Sequence, residues 1–484
     1  MYQQLISYGE SDVYPFHMPG HKRRALPFPN PYTIDITEID GFDNLHHAEG
    51  LIREAEERAA ELYGADRSYY LVNGSTCGLL AAICAAARRG DKVLAARNCH
   101  KAVYHAVSMQ GLAVEFLYPA ITRGDLQGQI TAAQVEEALT KHPDIAVVIL
   151  TSPTYEGIVS DVAAIAACCH AHGAALIVDE AHGAHFGFGA GFPENAVRLG
   201  ADAVIMSLHK TLPSFTQTAL LHCNGTRIDP GRVARYLGVY ETSSPSYLFM
   251  AGMDACIDLL REQGAELFAE YRRRLDAFYR DTADLAQLHV MRREDLCKEE
   301  AYDWDDSKLI IYAGAMGGEA LHQELRGHYH LQMEMVSADY VLGMTSLMDT
   351  DEGMRRLVTA LHEIDEKNRR MAEPHETAEE NRKTELDGEV PEAGFTARMY
   401  RKNPRRMQIY QALDLPYREV PLDEAVGKMA ADYVYLYPPG IPLIVPGEVI
   451  TDEFIRHIRE CRERKLNVEG QGNLAPGRIK IVYF

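Results

Sequence analysis

From Ile52 onward the chain alternates two hydrophobic rhythms. Ile52 to Tyr63 carries apolar residues at helical spacing among Ala and Glu, and Gly64 stops it, which predicts a helix. Ser68 to Val72 reads as a strand, followed by Asn73-Gly74-Ser75-Thr76-Cys77-Gly78 and an Ala-rich helix to Arg88. Strands are then expected at Lys92–Ala96, Ala113–Leu117, Ile145–Leu150, Ala174–Val178 and Ala203–Met206, with helices at Asn98–Gly111, Thr131–Lys141 and Val162–His172. Apolar strands separated by helices predict an α/β, doubly wound domain with a mainly parallel sheet. Ligands in such sheets sit beyond the carboxyl ends of the strands. Ser75, Thr154, Asp179, Ser207 and Lys210 all follow an apolar strand and fall there.

The flanks differ. Residues 1–50 hold Pro15, Pro19, Gly20, Pro27, Pro29 and Pro31, and predict an arm draped over the molecule rather than a helix or sheet. Residues 253–370 alternate again, with a helix at Ala255–Tyr279 and strands at Lys308–Tyr312 and Met333–Met335, and read as a smaller α/β domain. Lys367 to Glu389 is charged and nearly devoid of apolar residues, so 371–390 is expected to be a linker. The remainder, 391–484, is expected to form a C-terminal α+β domain, and 51–252 the large one.

A chain of 484 residues has room for two or three domains, and 46% hydrophobic with 25% charged residues is ordinary for a soluble protein. There is no run of 18 apolar residues, and Met1–Asp12 lacks a secretory pattern. The 9 cysteines are scattered, apart from the neighbours Cys168 and Cys169, and suggest neither a zinc nor a disulfide framework. A cytoplasmic setting is the expectation. The net charge of −21 argues against nucleic acid or an anionic membrane as partner and suits a cationic small molecule.

Ser207-Leu208-His209-Lys210 follows the buried run Ala203–Met206. A lysine there can form a Schiff base with pyridoxal phosphate while its serine and histidine neighbours hold the phosphate; the plainer alternative is a solvated lysine. The turn Asn73–Gly78 between strand and helix offers free backbone N–H groups to a phosphate, or is an ordinary helix cap. It is neither a Walker loop nor GxGxxG. Asp179-Glu180-Ala181-His182-Gly183-Ala184-His185 admits three readings. A helicase box would need a Walker loop. A metal site from Asp179, His182 and His185 lacks further ligands at recognisable spacing. In a pyridoxal phosphate site, Asp179 would pair with the pyridine nitrogen and keep it protonated. The histidine-bearing stretches His17-Met18-Pro19-Gly20-His21-Lys22 and Asp40–His47 read as turns or loops around a site; adjacent His46 and His47 point apart on any regular element.

Taken in order, His17–Lys22, Asn73–Thr76, Arg97-Asn98-Cys99-His100-Lys101, Thr154-Tyr155-Glu156-Gly157, Asp179–Gly183, Ser207–Lys210, Tyr437-Pro438-Pro439-Gly440-Ile441-Pro442 and Pro446-Gly447-Glu448 resemble the ornithine/lysine/arginine decarboxylase family, in its short form without an N-terminal receiver-like domain. The resemblance implies a fold-type I, aspartate aminotransferase-like, pyridoxal 5'-phosphate-dependent enzyme. It implies decarboxylation of lysine, arginine or ornithine to cadaverine, agmatine or putrescine. By the same resemblance Lys210 carries the cofactor, Asp179 pairs with the pyridine nitrogen, His100 stacks on the ring and His182 sits by its phenolic oxygen. Ser75, Thr76, Ser207 and His209 would hold the phosphate, and Thr242 would reach the phosphate of a neighbouring subunit in a homodimer or larger assembly. Cys77-Gly78 replaces a richer Ser/Thr run, which leaves the side chains at the phosphate open. Glu448 is a candidate for steering a cationic substrate. The rival functions are transamination on the same fold and a regulatory homologue that binds the cofactor or a polyamine.

Overall fold

The computed structural model describes every residue except 25, 27, 373–393, 437–439, 465, 471–476 and 484. Most of the expected 371–390 linker and the Tyr437-Pro438-Pro439 stretch therefore lie outside the described residues.

The N-terminal arm is more regular than its prolines suggest. Helix α1 spans Tyr2–Gly9, and strand β1, Tyr14–Phe16, pairs in parallel with Leu331–Met333. Pro15 is tolerated because β1 has that one neighbour only, and the missing N–H leaves no ladder bond broken. The expectation of neither helix nor sheet in residues 1–50 is thus corrected.

The alternation from Ile52 is realised as α2 (Leu51–Tyr63), β2 (Arg67–Leu71), α3 (Gly74–Ala86), β3 (Lys92–Ala96), α4 (Lys101–Gln110), β4 (Ala113–Leu117), α5 (Ala132–Lys141), β5 (Ile145–Thr151), β6 (Ile158–Val159), α6 (Val162–Ala171), β7 (Ala175–Asp179), β8 (Ala203–Met206), the single turn α7 (Leu208–Thr211) and β9 (Ala219–Cys223). Seven of these strands form one sheet in the order β2-β9-β8-β7-β5-β3-β4. Only β9 runs against the rest. The central strand β7 is buried at every position, as a sheet covered on both faces requires. Local signals set the helix ends. Gly64 at φ +80° ends α2, Asp161 caps α6 by accepting from Ala164 N at 3.0 Å, and Thr131 with Gln134 forms a capping box on α5.

Helices α8 (Pro230–Tyr240) and α9 (Tyr247–Asp281) follow, and α9 runs 35 residues from its Ser246 cap, longer than its apolar pattern indicated. The second sheet is antiparallel, β10-β12-β15-β14, built from His289–Val290, Lys308–Tyr312, Tyr340–Met344 and Met335–Val336, while β11, Asp303–Trp304, pairs with β6. The expected strand Met333–Met335 is instead two strands, β13 (Leu331–Met333) and β14, which join different sheets and leave Glu334 at the break. Helix α10, Gly318–Gly327, precedes this break, and α11, Asp351–Ala372, follows it. A separate apolar core gathers Phe395, Val420, Ile444, Ile455 and Ile481 in the C-terminal part. No described helix is long and apolar enough to cross a membrane.

Candidate active site

The carboxyl ends of β2, β3, β5, β7 and β8 converge on a cleft of about 280 Å³. Each strand delivers part of its wall. After β2, Gly74 takes φ +77°, a conformation open to glycine, and starts α3 so that Ser75 and Thr76 face the cleft at a helix N-terminus. After β3 come Asn98 and His100, and His100 caps α4 by accepting from Ala102 N at 3.3 Å. After β5 come Thr151, Thr154, Tyr155 and Glu156; β7 ends on Asp179; and β8 leads into Ser207, His209 and Lys210. Of the residues that the resemblance assigns to the cofactor, all except Thr242 line this one cleft.

Lys210 Nζ lies 2.9 Å from His182 Nε2. Burial pushes the lysine below its ordinary range, while the charges of Asp179 and Glu334 pull it back up. His182 is driven well below a free imidazole by burial and by the Lys210 charge, so it is neutral. Asp179 is buried and accepts from Ala181 N at 3.2 Å; burial raises its carboxyl and Lys210 lowers it. The His100 imidazole is pushed down to about 3, first by burial and then by Lys210, and is neutral too. His209 is held near 4 by burial, and its Nδ1 donates to the Thr218 carbonyl at 2.9 Å. Ser75 and Ser207 hydrogen-bond to each other through their hydroxyls.

The metal reading of the Asp179–His185 stretch is not gathered into a site. His182 turns to Lys210, while His185 Nε2 meets Asp305 Oδ1 at 3.2 Å. Cys77 is likewise turned away from the cleft: its thiol donates to the Gly74 carbonyl and to Glu241 Oε1 at 2.8 Å. Thr242 is exposed outside the cleft, where its carbonyl accepts from His46 Nε2 at 2.9 Å. Glu448 does not face the cleft. It is 1% exposed, 3.5 Å from the buried Arg97 guanidinium, and accepts from Val445 N at 3.1 Å. A carboxylate already neutralised inside the protein cannot steer a substrate, which corrects that expectation.

Several contributors were not legible in the sequence. Glu334 accepts from Tyr155 Oη at 2.6 Å and from Met18 N at 2.8 Å. Gln127 lines the cleft from the loop after β4. Lys308 is fully buried, its Nζ lacks a hydrogen-bond partner among the described residues, and burial holds it near 8. The alternation Gln332-Met333-Glu334-Met335 was a signal for Glu334, since it puts both polar side chains on one face. The arm completes the wall with Met18. Gly20 N donates to the His209 carbonyl at 2.7 Å, and a Cβ at Gly20 would meet Leu212 N at 2.7 Å, so glycine alone permits that approach. Lys22 Nζ donates to the carbonyls of Pro15, His17 and Met344, clamping the turn.

The donor set fits pyridoxal phosphate on an observation independent of motif. Three residues lining the cleft carry buried polar atoms without hydrogen-bond partners among the described residues: Asn98 Oδ1, Thr151 Oγ1 and His182 Nδ1. Orphaned atoms of this kind are costly unless a polar ligand meets them. A buried carboxyl, a buried amine and a helix N-terminus complete the set for a ring nitrogen, an aldehyde and a phosphate.

The family model described as Orn/Lys/Arg decarboxylase, major domain, matches residues 1–295, and that for the C-terminal domain matches residues 395–470. An arginine decarboxylase of Halalkalibacterium halodurans is 32% identical over 486 residues, covering 97% of this chain and 94% of the relative. An arginine decarboxylase of Bacillus subtilis is 30% identical, covering 100% of this chain and 97% of its own length. The solved lysine decarboxylase of Francisella novicida superposes with a TM-score of 0.77 at 18% identity, over 99% of this chain and 80% of that one. The fold is thus the fold-type I architecture of pyridoxal phosphate-dependent enzymes, and the chain belongs to the Orn/Lys/Arg decarboxylase family.

Proposed function

We propose that this protein releases CO₂ from a basic L-amino acid with pyridoxal 5'-phosphate held covalently on Lys210, and that arginine is the first substrate to try. Relatives named arginine decarboxylase, aligned over nearly the whole chain, support arginine over lysine or ornithine. The observation that carries the reading is the 2.9 Å approach of Lys210 to a neutral His182 in a cleft shared with the buried Asp179.

When bound, pyridoxal phosphate supplies an electron sink for the pair released by the breaking Cα–carboxylate bond. Asp179, ionised opposite a positive pyridine nitrogen, keeps the proton there. The neutral ring of His100 would pack against the cofactor ring, and His182 would hydrogen-bond to its phenolic oxygen. Ser75, Thr76 and Ser207, with the first N–H groups of α3, would hold the phosphate. His209 would join them as a donor, its protonated form favoured beside a phosphate. Beside His182, the Lys210 amine would be placed to return a proton to Cα. Thr242, exposed on this chain, is assigned to a neighbouring subunit's phosphate in a homodimer, and the setting is cytoplasmic.

The test is product formation. Purified protein with the cofactor receives arginine, lysine and ornithine separately, and agmatine, cadaverine and putrescine are measured by mass spectrometry. One dominant amine is expected. Amino transfer to pyruvate without CO₂ release would move the assignment to a transaminase.

A further inference from the structure

The cleft does not end at Glu156. A second cavity of about 270 Å³ shares two walls with it, Gln127 and Glu156. Glu319, Glu334, Tyr340 and Tyr400 also line this second cavity, and among the described residues no lysine or arginine does. An acidic chamber walled by aromatic rings suits a cation.

Two side chains at the shared wall point to a ligand rather than to a merely acidic surface. Gln127 is 5% exposed, yet among the described residues its side-chain amide has no hydrogen-bond partner. Its amide faces both cavities and is open to a group bound between them. Glu156 accepts from Tyr340 Oη at 3.2 Å, but burial pushes its carboxyl above the ordinary range, the condition of an acid without its counter-charge. Neither residue has a part in the chemistry at Lys210.

We propose that the substrate's side chain passes between Gln127 and Glu156 into this chamber, where Glu156 holds its distal cation and the Gln127 carbonyl accepts from the same head group. The assignment rests on the function proposed above and makes Glu156 and Gln127 its specificity-determining residues. A planar guanidinium has N–H groups for both partners at once, whereas an ammonium offers a point charge, so the pair favours arginine.

The test uses cofactor-loaded wild type, Glu156→Gln and Gln127→Ala. Rates are measured with whichever of arginine, lysine and ornithine is turned over, and with its uncharged analogue (citrulline, norleucine or norvaline). Binding of the product amine is measured by calorimetry. Glu156→Gln should raise KM for the basic substrate at least tenfold, change kcat less than threefold, and weaken the product amine tenfold. The preference for the charged over the uncharged substrate should fall by the same factor. Gln127→Ala should show the same pattern more weakly, and supplies the comparison if circular dichroism shows that Glu156→Gln does not fold. Variants that keep wild-type preference and product affinity overturn the cation assignment while leaving decarboxylation intact. A wild type that releases CO₂ from none of the three overturns the function itself.

Discussion

The Tyr155 hydroxyl donates to Glu334 at 2.6 Å, across 179 residues of chain. Tyr155 belongs to the loop after β5, and Glu334 to the break between two short strands of the later sheets. The Tyr155 ring centroid lies 4.6 Å from that of His182. One contact therefore joins the wall of the cleft to the smaller sheets and leads on to the Lys210 partner.

Tyr155→Phe keeps the ring and removes that hydrogen bond, leaving a half-buried carboxylate short of a partner. A loss of about 1–2 kcal/mol is expected, seen in a thermal melt as a fall of about 1–2 °C for a chain of this size, with a lower kcat/KM. An unchanged melt and an unchanged kcat/KM would show that the contact is incidental.

Asp179→Ala removes the group assigned to the pyridine nitrogen. Turnover should fall at least about 100-fold at saturating cofactor, while the cofactor absorbance band of the lysine-bound form persists. Near-normal turnover in this variant would end the assignment of Asp179 to the electron sink.

Glu56 gives a pH-dependent expectation far from the chemistry. It is 3% exposed, accepts from Tyr70 N at 3.1 Å, and burial pushes it up to about 7. A raised acid keeps its proton in the folded chain while the unfolded chain loses it, so Glu56 lowers stability as pH rises from about 4.5 to about 7. Glu56→Gln keeps an acceptor for Tyr70 and cannot ionise. It should be more stable than the parent at pH 8, by on the order of 1–3 kcal/mol, and indistinguishable at pH 4.5. Urea titrations at the two pH values check the difference; an equal gain at both would remove ionisation as its cause.

Arg97 and Glu448 are 3% and 1% exposed and 3.5 Å apart, and Arg97 Nη1 also donates to the Pro442 carbonyl at 2.6 Å. Removing either partner leaves a buried charge alone, so Arg97→Leu or Glu448→Leu should cost about 3–5 kcal/mol, and the double variant less than the sum. Chemical denaturation of the three variants measures this. Additive losses would mean that the two charges do not sense each other.

The large sheet was legible because its strands are short apolar runs between helices, and Asp179 and Lys210 because they close two such runs. The arm was misread because prolines mark where regular structure is unfavourable, not where an edge strand tolerates them, as Pro15 does in β1. Glu334 escaped because its partners, Tyr155 and Met18, are remote in sequence. Gln127 escaped because a lone amide in a loop carries no periodicity. Glu448 was misassigned because a carboxylate near a turn looks the same in sequence whether it faces solvent or a buried arginine.

Lys22 ends on the carbonyl of Met344, and Arg97, three residues before His100, ends on Pro442 and Glu448. Both anchors reach backward from late-made chain to early-made chain. During synthesis the seven-stranded sheet has all its strands once residue 223 has left the ribosome. The turn beside His209 and the loop bearing His100 wait for two further instalments. Both fastenings are complete only once Pro442 has been made, and a nascent chain stalled before it carries a finished sheet with an unfastened active site.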